Sequence, residues 1–464
     1  MKRILILLCF TCCLGCSSKK ESQSKTSKPN VLFIIVDDLR TELNTYGDNQ
    51  IISPNIDALA SQGLQFNRAY CQVPVCGASR ASLLSGLRPT RERFLKYNSS
   101  VDEDAPGIVV LPQIFKENGY YTISNGKVFH IKNDSEERSW SEPIWQPEYI
   151  NGRKYLDPDS ENYIGGIRNR GPFFESPDVP DNAYPDGQIL DKSIADLKRL
   201  SKKDQPFFLT VGFTKPHLPF YAPKKYWDLY NRDSIEIAQN KSLPENTPAS
   251  LIGSEEIKFY HGKNIEYNSD EFHRTARHGY YACISYTDAL IGHLLSTLDS
   301  LNLRDNTIVV LIGDHGWNLG ELNFWSKHNT MHNSMNAPLI VNAPGYLKNK
   351  KSEALVEFLD IYPTLCDLAN IKLPSHLAGK SFVPLLKNPV TEWKHSAFSR
   401  YETGDAVITE RYTLTHYLTD SLEEYMLYDL EKDPQENINV VDKKEYEEIA
   451  NQMKELLKEG YPSK

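Results

Sequence analysis

Val31-Leu32-Phe33-Ile34-Ile35-Val36-Asp37-Asp38 reads as a strand that ends on two carboxylates. The apolar run is unbroken and rich in β-branched residues, so neither face alternates toward water. That is the pattern of a strand covered on both sides in a parallel sheet. Adjacent carboxylates at the carboxyl end of such a strand stand where open α/β sheets place their ligands. Their mutual repulsion is costly unless a cation neutralises it, which makes Asp37 and Asp38 candidate metal ligands. The plainer alternative is a helix-capping Asp beside a solvated one.

The same design recurs along the chain. Thr307-Ile308-Val309-Val310-Leu311-Ile312 runs into Gly313-Asp314-His315-Gly316, and Phe207-Phe208-Leu209-Thr210-Val211-Gly212-Phe213 runs into Lys215-Pro216-His217. A helix from Leu111 with a stop at Gly119 leads to a strand over 121–124 and then Gly126-Lys127-Val128-Phe129-His130. Ser53-Pro54 marks a capped helix start, residues 277–301 form an amphipathic helix, 338–341 a strand and 358–368 a helix. Strands alternating with helices give an α/β fold with a large, mostly parallel sheet. Residues 131–187, rich in Pro, Trp and Asn, read as long loops over the active face. After Pro389 the pattern turns to short alternating strands closed by a helix over 443–457. The expected organisation is a catalytic α/β domain over 29–389 and a smaller C-terminal α+β subdomain, antiparallel sheet and helix, over 390–464.

At 464 residues the chain can hold both units, and 40% hydrophobic content excludes a disordered protein. A net charge of -9 gives no sign of a nucleic-acid partner. Lys2-Arg3 precedes an apolar run over 4–14, shorter than the roughly 20 residues of a membrane span, so 1–15 reads as a signal peptide. Cys13-Leu14-Gly15-Cys16 resembles a bacterial lipobox, with Cys13 where Leu is usual. Cleavage before Cys16 and lipid on its thiol would leave 16–28 as a flexible tether and place the protein in the periplasm or at the cell surface, as an outer-membrane lipoprotein. An ordinary secretory signal cut nearby is the alternative. Outside the leader the cysteines are Cys71, Cys76, Cys283 and Cys366, too few and scattered for a disulfide framework. Cys71 is expected to be buried, and Cys283 and Cys366 to lie in helix cores.

Val73-Pro74-Val75-Cys76-Gly77-Ala78-Ser79-Arg80-Ala81-Ser82-Leu83-Leu84-Ser85-Gly86 supplies the reactive candidate. A helix continuing over 79–85 puts Cys76 at its N-terminus, where free N–H groups and the dipole favour an anion. Alone, Cys76 could equally open a surface helix with Arg80 solvated. With Asp37-Asp38-Leu39-Arg40, Ser53-Pro54-Asn55-Ile56-Asp57, Gly126 to His130, Lys215-Pro216-His217, Asp314-His315-Gly316-Trp317 and Leu427-Tyr428-Asp429-Leu430-Glu431-Lys432-Asp433-Pro434, the chain from Pro29 to about Asn439 resembles the type I sulfatases. Within them it is most similar to the iduronate-2-sulfatase branch, which has His315 where most sulfatases carry Asn.

The resemblance implies an alkaline-phosphatase-like fold and an enzyme that hydrolyses sulfate monoesters on a polysaccharide. The substrate would be a uronate 2-O-sulfate or similar sugar, in a glycosaminoglycan or an algal glycan such as ulvan. It also implies oxidation of Cys76 to formylglycine (3-oxoalanine) by a sulfatase-maturing enzyme. One geminal hydroxyl of the hydrated aldehyde attacks sulfur, and the other then drives out sulfate and restores the aldehyde. The implied metal ligands are Asp37, Asp38, modified Cys76, Asp314 and His315. Ca²⁺ is favoured over Mg²⁺ in a carboxylate-rich, irregular site; His315 is a less usual Ca²⁺ ligand, and a contact to sulfate is its alternative. Arg80 would orient the aldehyde hydrate, and Lys127 and Lys327 would hold the sulfate oxygens. His217, assisted by Lys327, would protonate the leaving oxygen, and His130 would act as base in the elimination. Within Trp325-Ser326-Lys327-His328 a shift of that role onto His328 stays open. Trp317 and Arg40 are placed either at the substrate pocket or in helix packing and a salt bridge. The rival functions are a formylglycine-dependent phosphonate or phosphodiester hydrolase and a sulfated-glycan-binding lipoprotein without catalysis.

Overall fold

The structure is a computed structural model that describes residues 28–148, 155–165 and 170–461. The signal peptide, the Cys16 lipidation site and nearly all of the tether lie outside the described residues. A seven-stranded sheet organises the chain, in the order Lys350–Ser352, Leu64–Phe66, Leu339–Asn342, Thr307–Gly313, Asn30–Val36, Phe207–Phe213, Tyr121–Gly126. Asn30–Val36 is central and parallel to both its neighbours, and Tyr121–Gly126 extends the parallel set at one edge. Leu339–Asn342 is antiparallel to both of its partners, so the sheet is mixed but mostly parallel, as expected.

The unbroken apolar run of the central strand has a direct structural counterpart. Leu32, Ile34 and Val36 enter one hydrophobic cluster, and Val31, Phe33 and Ile35 enter another on the opposite face. The first cluster is closed by the helices Pro185–Leu200 and Asp270–Ser300, the second by Cys76–Ser85, Leu111–Glu117 and Ile361–Leu368. Each fully buried side chain of this kind contributes about 1.5–3 kcal/mol. Asn30–Val36 is therefore fixed from both sides before any polar residue is considered.

Several elements differ from the sequence expectation. The long helix begins at Asp270, well before Arg277, because Ser269 caps it by accepting from Phe272 N–H at 3.1 Å. Ser53 does not cap the Pro54–Ser61 helix with its side chain. Asp288 does so from across the core, accepting from the N–H groups of Asn55 at 3.0 Å and Ile56 at 2.7 Å. The segment 131–187 is not all loop: Glu136–Ser139 and Pro158–Glu161 are single helical turns, and the Pro185–Leu200 helix begins inside it. Cys71, Cys76, Cys283 and Cys366 are all buried and free. No helix among the described residues is long and apolar enough to cross a membrane.

A second sheet, the antiparallel series Ala397–Tyr401, Gly404–Ile408, Tyr412–Leu418, Glu423–Asp429, follows the stretch around Pro389. The helix Glu447–Gly460 packs on it through Ala450, Met453 and Leu457. Glu357, on a short strand paired with Ala69–Tyr70, ties this unit to the rest of the fold. It accepts from Arg88 at 2.6 and 3.0 Å, from Lys394 at 2.9 Å and from Phe398 N–H at 3.3 Å. Burial disfavours its charge, but Arg88 and Lys394 outweigh that and hold it down at about 2. Since the folded carboxyl lies below its ordinary 4.5, this stabilisation is complete above that pH and fades as the pH falls toward 2. Glu357→Gln is expected to unfold at lower denaturant than the parent near neutral pH. Denaturant titrations should show that gap narrowing steadily below pH 4.5.

Candidate active site

The register of the parallel strands sets the site. Val36 pairs with both Phe213 and Gly313, and Gly126 pairs with Gly212, so four strands end at one level. The ladder continues one step further, with Asp37 N–H donating to Phe213 O at 3.1 Å, Asp314 N–H to Val36 O at 3.1 Å and Lys127 N–H to Gly212 O at 2.9 Å. Asp37, Asp38, Lys127, Asp314 and His315 thereby emerge side by side at the carboxyl edge. Gly212 is required for this: a Cβ there would fall 1.9 Å from Lys127 O.

Cys76 reaches the same point from outside the sheet, as the first residue of the buried helix Cys76–Ser85. Gly77 lets the helix start lie against the Tyr97 carbonyl, 1.8 Å from where a Cβ would stand. The Cys76 thiol, 3% exposed, has Sγ 3.1 Å from His315 Nε2 and 3.9 Å from Asp38 Oδ1. Burial first, then the Asp37 charge, pushes the thiol well above its usual range, so unmodified Cys76 is a protonated thiol and a poor nucleophile. Ligand atoms of Asp37, Asp38, Cys76 and His315 all lie within 4.8 Å of one another. His315 Nδ1 lies 2.9 Å from Gly316 O and donates to it, which leaves the Nε2 lone pair facing the cluster. Asp314 stands at its rim. Its Oδ1 accepts from Asp38 N–H at 3.0 Å, lies 3.6 Å from His315 Nε2, and its Oδ2 takes Arg80 Nε at 2.8 Å.

Asp38 itself is strained. Its φ of 62° is left-handed, and the conformation is held by Asp314 and by Tyr280 Oη, which donates to Asp38 O at 2.7 Å. Burial and the neighbouring Asp37, Glu256 and Asp314 charges raise its carboxyl well above the ordinary range, although Lys327 opposes them. Asp37 moves the other way: burial is overcome by Lys127 at 2.6 Å, with His217 and Arg80 adding to it. Four carboxylates, Asp37, Asp38, Asp314 and Glu256, thus face three permanent cations, Arg80, Lys127 and Lys327. A hard divalent cation fits this oxygen-rich, negatively biased donor set.

Arg80 lies one turn after Cys76 and is fully buried. It pairs with Asp314, reaches Asp37 at 3.5 Å, and donates to the carbonyls of Lys127 and of Val128. Lys327 lies between two left-handed residues, Ser326 and His328, and donates to Asp38 at 2.8 and 3.0 Å. The neighbouring His328 turns away to Ser254 and Tyr401, so the cation in the cluster is Lys327. His217 follows a turn pinned by Asp186, which accepts from Thr214 and Lys215 N–H. Its Nδ1 donates to Leu218 O at 2.6 Å, and Nε2 is 3.9 Å from Asp38 Oδ2. Burial, then Lys327, lowers it to about 3. His130 is lowered to about 2 by burial and then Lys127, and its buried Nδ1 has no hydrogen-bond partner among the described residues.

Every site residue expected from the sequence therefore lies at or beside this edge, whereas Trp317 and Arg40 are taken up by packing and by an ion-pair network. Trp317 is fully buried, with Lys327 Nζ 4.6 Å from the ring centroid, and supports the site from below. Arg40 is held in an ion-pair network with Glu42 and Glu321, joined by Arg277. The sequence reading missed Glu256, whose carboxylate meets both Lys327 and His217. It sits in a polar stretch with no motif, and no local pattern marks it.

A family model described as Sulfatase matches residues 29–371, and one described as the C-terminal region of N-sulphoglucosamine sulphohydrolase matches 320–461. The chain is 34% identical over 439 residues to iduronate 2-sulfatase of Homo sapiens, spanning 85% of this chain and 79% of that one. It is 30% identical over 477 residues to the ulvan-active sulfatase of Formosa agariphila, spanning 98% and 85%. Among solved structures, the phosphonate monoester hydrolase of Silicibacter pomeroyi matches with a TM-score of 0.76 at 21% identity, over 92% of this chain and 94% of that one. That likeness concerns the fold, which is the expected alkaline-phosphatase-like arrangement.

Removing Arg80 would leave Asp314 and Asp37 buried with one cation fewer and two carbonyls without a donor. Arg80→Met is expected to cost about 3–5 kcal/mol in denaturant unfolding. Arg80→Lys should recover part of that stability but little activity, because an ammonium cannot span the same acceptors.

Proposed function

The chain belongs to the sulfatase family and is a sulfuric ester hydrolase; from that premise we propose that it removes 2-O-sulfate from a uronic acid or similar sugar of a sulfated glycan, using formylglycine made from Cys76. The observation that carries the reading is the convergence of Cys76, His315, Asp37 and Asp38 within one small cluster at the sheet edge. The relatives support the substrate class: one acts on iduronate 2-sulfate by its name, another on ulvan. Residues 1–28 are consistent with an exported lipoprotein anchored through Cys16 that meets an external polymer, as part of the same proposal.

Asp37, Asp38, Asp314 and His315 would hold a Ca²⁺ ion, which together with the aldehyde hydrate at position 76 supplies an activated hydroxyl nucleophile. The rest falls to the chain's own side chains. Arg80, immobile between Asp314 and the Lys127 carbonyl, keeps residue 76 in place through the helix they share. Lys127 and Lys327 present ammonium groups to the sulfate oxygens. Burial opposes their charge, but Asp37 and Asp38 respectively raise both above the usual range, so both stay protonated. His217 is neutral at rest, with its one ring proton on Nδ1, and Lys327 is charged; an anionic ester beside them offsets the Lys327 field, so that His217 Nε2 takes up a proton from solvent and passes it to the leaving oxygen. His130, held neutral, is placed to accept a proton afterwards.

Charge sharpens the choice of substrate. With a divalent cation bound, the surplus negative charge of the cluster becomes a small positive one, which matches a monoanionic ester. Sulfate monoesters meet that condition, and so do phosphonate monoesters and phosphodiesters, the reading favoured by the fold neighbour. Sulfate release from defined 2-O-sulfated uronate disaccharides and from ulvan oligosaccharides, run beside an aryl phosphodiester, decides between them. The expected result is preferred turnover of the sulfated sugar. Preference for the diester would establish the second reading, and tight glycan binding without release by aldehyde-bearing protein would establish a non-catalytic role.

Cys76→Ser is expected to stop after one sulfate transfer or to lose turnover, with intact-protein mass showing the thiol-to-aldehyde loss in the active parent and not in the variant. Chelator-treated protein is expected to gain thermal stability on Ca²⁺ addition, about 2.7 kcal/mol when free Ca²⁺ is a hundred times its dissociation constant. Asp38→Asn should abolish that gain.

A further inference from the structure

Glu256 is a carboxylate that no motif announces and to which the chemistry above gives no task. It opens the short 3₁₀ helix Glu256–Phe259, between the His217 turn and the long Asp270–Ser300 helix. Its side chain is 14% exposed. Oε2 lies 3.2 Å from Lys327 Nζ, and Oε1 lies 3.6 Å from His217 Nε2 and 3.9 Å from Arg170 Nη1. The Arg170 guanidinium rests over the Tyr260 ring at 4.7 Å and the Phe259 ring at 5.6 Å, which backs the helix from behind.

Asp38 touches the same two groups from the sheet side, Lys327 at 2.8 Å and His217 at 3.9 Å. Lys327 and His217 are thus bracketed between an inner carboxylate and an outer one. An inner carboxylate that also serves a cation has less negative charge left for them, and the outer one becomes the anchor. A Lys side chain has four rotatable bonds, and immobilising it costs up to about 2 kcal/mol in rotamer freedom, so its placement needs such an anchor. For His217, the Nδ1 bond to Leu218 fixes the ring axis, and Glu256 stands on the side to which Nε2 points.

We propose that Glu256 is a positioning residue for the leaving-group side of the reaction, holding Lys327 Nζ and His217 Nε2 together on the face where the sugar oxygen departs. This rests on the roles given above to His217 and Lys327. Glu256 forms and breaks no bond: the proton passes from His217 or Lys327 to the oxygen released as the S–O bond breaks, and Glu256 fixes where those donors stand.

Leaving-group dependence tests this in the mature, Ca²⁺-loaded enzyme. Substituted phenyl sulfates, from 4-nitrophenyl to unsubstituted phenyl, span leaving groups that depart unaided and ones that need a proton. For Glu256→Gln, kcat on phenyl sulfate is expected to fall about tenfold further than kcat on 4-nitrophenyl sulfate, a fraction of the roughly 10²–10⁴-fold that general acid catalysis contributes, as suits a positioning residue. KM should change little, and Glu256→Asp should recover part of the loss. Equal losses on both esters, or a change confined to KM, would overturn the proposal. His217→Ala run alongside separates the role of Glu256 from that of His217. If His217→Ala is itself indifferent to the leaving group, the acid role of His217 fails. If His217→Ala discriminates and both Glu256 variants do not, Glu256 alone loses its assignment. Should Glu256→Gln fold poorly, Glu256→Asp compared with the parent on the same two esters decides in its place.

Discussion

The pairing of Arg80 with Asp314 and Asp37 is the contact on which the site depends. Carboxylates brought to one sheet edge repel one another, and in a buried setting that repulsion is poorly screened. Arg80 reaches two of them and also caps backbone carbonyls of the Lys127 segment. It arrives on the same helix as Cys76, so the residue that neutralises the edge and the proposed nucleophile are a single turn apart. Binding the edge therefore places Cys76.

The sheet makes that economy possible. Parallel strands in matched register end together, and each then delivers its next residues at a common height. The apolar content of the strands and the chemistry at their ends are separate parts of the sequence, joined by a step of one or two residues. A shift of register by one residue would move every side chain of a strand to the opposite face. The two hydrophobic clusters sandwiching Asn30–Val36 oppose such a shift, and so the packing of Val31 to Val36 fixes the position of Asp37 and Asp38.

This division explains what could be read from the chain. Asp37, Asp38, Asp314 and His315 were legible because each pair closely follows an apolar run whose direction and end are plain in the sequence, whereas Lys127, beyond the mixed stretch 121–126, was marked by its motif. Cys76 and Arg80 were legible through the motif they share and its resemblance, not through helix spacing, which alone would also suit a surface helix with Arg80 solvated. The extent of the Asp270–Ser300 helix, the cap supplied by Asp288 and the place of Glu256 were not, since each is settled by contacts between segments remote in sequence. Trp317 and Arg40 show the same limit from the other side: they share motifs with residues of the cluster, but one is buried in packing and the other is held in an ion-pair network. A motif indicates that a backbone segment reaches the site; it does not indicate which way each side chain turns there.

The two halves of the cleft are built to different rules. The inner half consists of strand ends and a helix start, fully buried, with little freedom to change without disturbing the core. The outer half, with His217, Glu256 and Arg170, comes from turns and short helices and keeps partial exposure: the His217 side chain is 24% exposed against 2% for Lys327. Lys327 and Glu256 join the halves, one extending from the buried side and the other from the partly exposed side. Their ion pair at 3.2 Å fastens the partly exposed turns to the buried strand ends.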